Sequence, residues 1–81
     1  MENKKIPSRV WVDAYFITFE YKTKRGNHKS QIRIVEQTNK DLAERDFWIW
    51  INTQNEDKPY RAMANVKILD IAKGNGRYIT L

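Results

Sequence analysis

The stretch from Tyr15 to Val35 constrains this chain more than any other. Ile17, Phe19 and Tyr21 alternate with Thr18, Glu20 and Lys22, the period of a strand with one buried face. Its β-branched and aromatic residues suit a pleated, half-buried surface. Gly26-Asn27 tolerates positive φ and lets the chain reverse. Ile32 and Ile34 then alternate with Gln31, Arg33 and Val35. The stretch therefore reads as a β-hairpin, closed by a two-residue turn at Gly26-Asn27 or by a longer loop through His28.

Arg9 to Ala14 can extend the first strand, but the alternation is poor there. Val10, Val12 and Phe16 sit opposite Ile17 and Phe19, while Trp11 shares their face. Either both faces are covered locally or a bulge resets the phase.

Thr38 to about Asn55 reads as a helix, with Thr38 as N-cap and Asp41 in the first turn. A step of about 100° per residue puts Leu42, Ala43, Phe47, Ile49 and Trp50 in one apolar sector, with Trp50 near its centre and Ile51 at its margin. Trp48 falls on the far side, about 160° from Trp50. A strand over Phe47–Ile51 competes, since all five residues favour β-structure. The ten residues before them support the helical period.

Asn55 to Pro59 breaks the helix, and Tyr60 to Ala64 is ambiguous. Val66 to Ala72 reads as a third strand, Lys73-Gly74-Asn75-Gly76 as a turn, and Arg77 to Leu81 as a short fourth strand. The expected fold is α+β, ββαββ. One helix covers one face of an antiparallel sheet of order 2-1-3-4, and the other face is open or partly open.

With 81 residues, one domain (1–81) is the economical reading, and residues 1–8 read as a loose leader. The ten aromatic side chains could make a thin core sufficient. The absence of cysteine excludes disulfides and thiol chemistry, and makes a cytoplasmic setting the natural expectation. No apolar run is long enough to span a bilayer, so no membrane partner is expected.

The layout Tyr15-Phe16-Ile17-Thr18-Phe19-Glu20-Tyr21, a basic turn with Gly26, a return strand and a helix resembles small, uncharacterised proteins encoded by bacteriophages and prophages. The later runs Pro59-Tyr60-Arg61-Ala62 and Asn65-Val66-Lys67-Ile68-Leu69-Asp70-Ile71 are similar to the same set. The resemblance covers most of the chain and implies a mobile-element origin. It transfers no functional residues.

Charge is unevenly spread around the net +5. Residues 21–35 hold Lys22, Lys24, Arg25, Lys29 and Arg33 and no acid, whereas 40–57 sum to −3. Such polarity permits an anionic partner; the competing reading is that loop lysines only aid solubility. His28, the single histidine, sits among cations without a partner for acid–base work. Asp41, Glu44 and Asp46 suit a helix start rather than a metal site. Gly74-Asn75-Gly76 precedes no helix, so it is no phosphate loop.

Neither enzymatic activity nor a cofactor is therefore expected. The chain reads as a basic binding module whose nucleic-acid contacts come from Lys22, Lys24, Arg25, Lys29 and Arg33. An acidic helix on the opposite side would orient the encounter by repulsion. Phe16, Trp48 and Tyr78 are candidate stacking or partner contacts, although the general tendency of Phe to be buried argues for Phe16 in the core. The alternative is a protein-binding accessory or inhibitor that modulates a host or phage protein.

Overall fold

The computed structural model describes residues 8–80, so the leader expected over 1–8 lies, apart from Ser8, outside the described residues. Among these residues three strands, one α-helix and one 3-10 helix follow in order: β1 (Arg9–Lys22), β2 (His28–Gln37), α1 (Lys40–Asp57), a short 3-10 helix (Pro59–Arg61) and β3 (Ala64–Thr80). The sheet is antiparallel with order β2-β1-β3. The class is α+β, as expected, and the third strand lies beside the first. Among the described residues the fourth strand and the order 2-1-3-4 are not found, and Arg77 to Thr80 continue β3.

The hairpin forms because every residue from Asp13 to Lys22 has a partner on β2 in unbroken register, from Gln37 back to His28. Its tip is a β-turn rather than a two-residue loop. The Gly26 N–H donates to the Thr23 carbonyl at 2.9 Å, and the Thr23 N–H donates to the Asn27 carbonyl at 2.8 Å. Gly26 adopts φ +89°, which a residue without Cβ takes at no steric cost. Lys24 and Arg25 therefore occupy the two central turn positions, at the outermost point of the hairpin.

The helix starts one residue later than its sequence suggests. Asn39, in extended backbone, is the N-cap, and its Oδ1 accepts from the Leu42 N–H at 2.9 Å. Thr38 instead bonds the side chain of Gln37. Ala43, Phe47 and Ile51 are buried, and Phe47 is wholly so. The apolar seam thus runs along an i, i+4, i+8 row rather than through Trp50. Trp50 is only half-buried, Ile49 is exposed, and Trp48 is 36% exposed on the outer side. Phe47 meets Phe19 edge-on with ring centroids 4.9 Å apart. Ile17, Phe19, Tyr21, Phe47 and Ile51 form the buried cluster, flanked by Val35, Trp50, Met63, Val66, Ile68 and Ile71.

β3 passes straight through the predicted Lys73–Gly76 turn. The two glycines serve close packing rather than reversal. A Cβ on Gly74 would stand 2.3 Å from Phe16 Cε2, and one on Gly76 would stand 2.5 Å from the Val12 carbonyl oxygen and 2.6 Å from the Trp11 indole. Aromatic rings of β1 thus lie across glycines of β3. From the pair Arg9–Thr80 to the pair Lys22–Ala64, β1 advances 13 residues and β3 advances 16. The three extra residues are bulges in β3, opposite Asp13/Tyr15, Thr18/Phe19 and Glu20/Lys22. Leu69 is the extra residue of the middle bulge and is exposed. The irregular phase in β1 resolves as cover on both faces. Val12 is buried on the face opposite the helix, while the bulge opposite Asp13/Tyr15 belongs to β3. Phe16 lies on that open face and is exposed, not core.

Two sets of substitutions test this packing by urea denaturation. Phe47→Ala should cost about 3–5 kcal/mol and Trp48→Ala far less, with Trp50→Ala in between. Gly76→Ala, which presses on backbone, should cost about 1–3 kcal/mol. Gly74→Ala should cost less, and Phe16→Ala in the same chain should relieve most of that loss. Equal, small costs at both glycines would indicate a solvent turn.

Candidate nucleic-acid interface

The length of α1 decides what sits beside the hairpin tip. β2 leaves the tip at His28 and ends at Gln37, where its side chain holds Asp46 of α1 at 2.9 Å. The 18 residues of α1 rise about 27 Å, close to the roughly 30 Å that ten strand residues span. The helix therefore carries the chain back to the tip. Pro59 lacks the N–H needed to continue it, and the 3-10 helix follows at once. A side chain then pins the connection: Asn55 Oδ1 accepts from the Met63 N–H at 2.8 Å, and Asn55 Nδ2 donates to the Met63 carbonyl at 3.1 Å.

Between the tip and this connection lies a groove of about 480 Å³, lined by Tyr21, Thr23, Lys24, Arg25, Asn27, Lys29, Tyr60, Arg61 and Ala62. Four cations and no acid face it. Among the described residues, no carboxylate forms an ion pair with any of the four. Tyr21, with its hydroxyl accepting from Gln31 at 3.2 Å, belongs to the buried core and forms the groove's base. Tyr60 is 68% exposed, and the Arg61 guanidinium carbon lies 5.9 Å from its ring centre.

The structure divides the five cations singled out by sequence. Lys24, Arg25 and Lys29 line the groove. Lys22, paired with His28, alternates with Tyr21 and so faces the other side of the hairpin. Arg33 turns toward the helix, where its guanidinium carbon stacks 4.0 Å from the Trp50 ring centre and its Nε is buried without a hydrogen-bond partner. The candidate aromatics stand elsewhere. Phe16 lies over Gly74, Trp48 packs edge-on against Phe47, and Tyr78 packs edge-on against Trp11 at the far end of the sheet. Tyr60 and Arg61 replace them at the tip. Pro59, a helix stop, had marked that segment only as a break.

The acidic helix is not on the opposite side. Tyr21, at the base of the groove, is in one cluster with Phe47 and Ile51, so α1 covers the sheet face on which the groove opens. Its last residues, Glu56 and Asp57, come just before the 3-10 helix. Among the described residues, no group of three or more His, Cys, Asp or Glu side chains could hold a metal ion, and no helix is long and apolar enough to cross a membrane.

One ion pair crosses β1 on the open face. Arg77 Nε and Nη2 donate to Glu36 Oε2 and Oε1 at 2.7 and 2.8 Å, linking β3 to β2 across the row of Val12 and Ala14. The hydrogen bond from Arg77 lowers the Glu36 pKa, against desolvation and aided by charge attraction, and Glu36 raises that of Arg77 in return.

No protein-family model, curated protein or solved structure matches this chain.

A carboxylate with a lowered folded pKa contributes stability above the ordinary glutamate range, and that contribution is lost as pH falls through the lowered value. Glu36→Gln should therefore lower the urea midpoint at neutral pH and low salt. The gap from wild type should narrow with added salt and close only in acid below the lowered Glu36 value. A gap that persists in acid would assign the loss to packing over Val12 instead of charge.

Proposed function

We propose that this protein is a non-enzymatic binding module that holds nucleic acid by its phosphate backbone, through the groove at the hairpin tip. The observation that carries the reading is the convergence of Lys24, Arg25, Lys29 and Arg61 on one concave surface free of acids. Arg61, 36 residues further along the chain than Arg25, joins the other three only because the helix returns the chain to the tip. Cations at such a surface neutralise phosphates and release condensed counterions, which makes affinity salt-dependent. The hairpin supplies the projecting element and the 3-10 helix the opposing wall. A mobile-element origin, implied by the resemblance to phage-encoded proteins, is compatible with such a module.

A second reading rests on a different surface. Among the described residues no strand neighbours the outer edge of β2, and Ile32 and Ile34 are exposed on its open face. β3, the other edge, is interrupted by three bulges. An unbulged edge can accept an extended strand from a protein partner, which is the accessory-factor alternative.

Fluorescence anisotropy at several salt concentrations tests the first reading. Affinity should fall with a log–log slope of about −0.9 per phosphate neutralised on duplex or about −0.7 on single strands. Lys24→Ala, Arg25→Ala and Lys29→Ala together should weaken binding across all sequences and flatten the slope by roughly two to three units. Absence of binding at low salt would overturn the reading and favour the β2 edge. Binding unchanged in the triple variant would overturn the groove as the site.

A further inference from the structure

The geometry points to an unpaired strand of nucleic acid as the ligand of the tip groove, with Tyr60 as the platform on which one base stacks; this rests on the reading of the groove as a phosphate-binding surface. Three observations carry it.

The first is the exposure of Tyr60. A tyrosine ring left two-thirds in water on a short helix held by its backbone hydrogen bonds and by the Asn55–Met63 bonds has no packing role of comparable size. It stands at the rim of a groove whose other exposed lining residues are Lys24, Arg25, Asn27, Lys29 and Arg61, four cations and one neutral amide. A ring beside cations offers what a single strand presents and a duplex hides, the face of a base next to its phosphates. Arg61, 5.9 Å from the ring centre, provides the adjacent charge.

The second is the size of the opening. About 480 Å³ lies within the range of sites that enclose a small-molecule-sized group. A duplex, whose grooves are read by an inserted element, would meet the protruding tip rather than enter a space of this kind. The third is the acidic helix. Residues 40–57 sum to −3 and cover the same sheet face as the groove. A duplex laid along that face would bring its phosphates over the acids. A flexible strand can turn through the tip and avoid them.

The test compares three fluorescein-labelled probes at low salt: an oligothymidylate of about 12 nucleotides, within the range of single-strand site sizes, an oligouridylate of the same length, and a duplex of matched phosphate count. Wild type should bind the single strands more tightly than the duplex. The two single-stranded arms separate DNA from RNA as the source of the base. Tyr60→Ala should weaken single-strand binding about 5- to 150-fold, the equivalent of the usual stacking loss on alanine substitution, and weaken duplex binding far less. Tyr60→Phe should restore most of the single-strand affinity. Because Tyr60 is exposed, both variants should melt like wild type.

Three results would overturn the inference. In two of them the phosphate reading survives: a preference for duplex, or a Tyr60→Ala variant that binds single strands like wild type while the Lys24, Arg25, Lys29 triple variant does not. In the third, none of the probes binds at low salt, and the phosphate reading fails as well.

Discussion

The contact between Phe47 and Phe19 is what the rest of the molecule depends on. Both side chains are fully buried, one from the helix and one from the middle strand. β1 is hydrogen-bonded on both sides, so its helix-facing row cannot move without moving β2 and β3. Phe47 lays α1 on that row, and Trp50 closes the flank with its ring 6.0 Å from that of Phe19. Arg33 then stacks on Trp50 from the β2 side. A sheet of three strands has little else to bury, since its second face carries Phe16, Ile32 and Ile34 in solvent. The stability of the molecule is concentrated in one layer, where each aromatic contact is a large share of a small total.

That single layer is shorter than the sheet. The structure extends 62 Å along its longest axis, and α1 covers less than half of that. At the end away from the tip, Trp11, Tyr78 and Arg9 pack on one another while remaining exposed, and the absence of a Cβ at Gly76 leaves room for the Trp11 indole. On the opposite face the Glu36–Arg77 pair spans the strands above Val12. Exposed ion pairs contribute modestly. Its bidentate geometry links the two outer strands where no helix does so.

The groove is a by-product of the same economy. A helix matched in length to the strand beneath it must end at the tip, and the chain needs a tight connection to re-enter the sheet beside Lys22. The 3-10 helix and the left-handed Asn65, at φ 52°, make that connection. It places Tyr60 and Arg61 against the basic turn while Glu56 and Asp57 stay on the helix. Positive and negative regions therefore adjoin on one face of the protein.

Local pattern alone determined much of this. Alternation from Ile17 to Tyr21 established β1 and its buried face, Gly26 the reversal, the 3.6-residue period α1, and the cationic run Lys24–Lys29 the charge of the tip. These are properties of neighbouring residues and need no distant partner. Tertiary structure decided the rest. Gly74 and Gly76 have the same composition as a turn, and only the rings of Phe16 and Trp11 on another strand make them strand residues. Arg33 has the charge of a ligand contact, and only Trp50, seventeen positions on, draws it inward. The helical seam was read correctly at Ala43 and Phe47 but misplaced in its last turn, at Trp50 instead of Ile51, because Ile49, Trp50 and Ile51 are all apolar and the sheet selects which of them to bury. Tyr60 and Arg61 join the basic tip through a match between helix rise and strand rise, a length relation between elements that no local window contains.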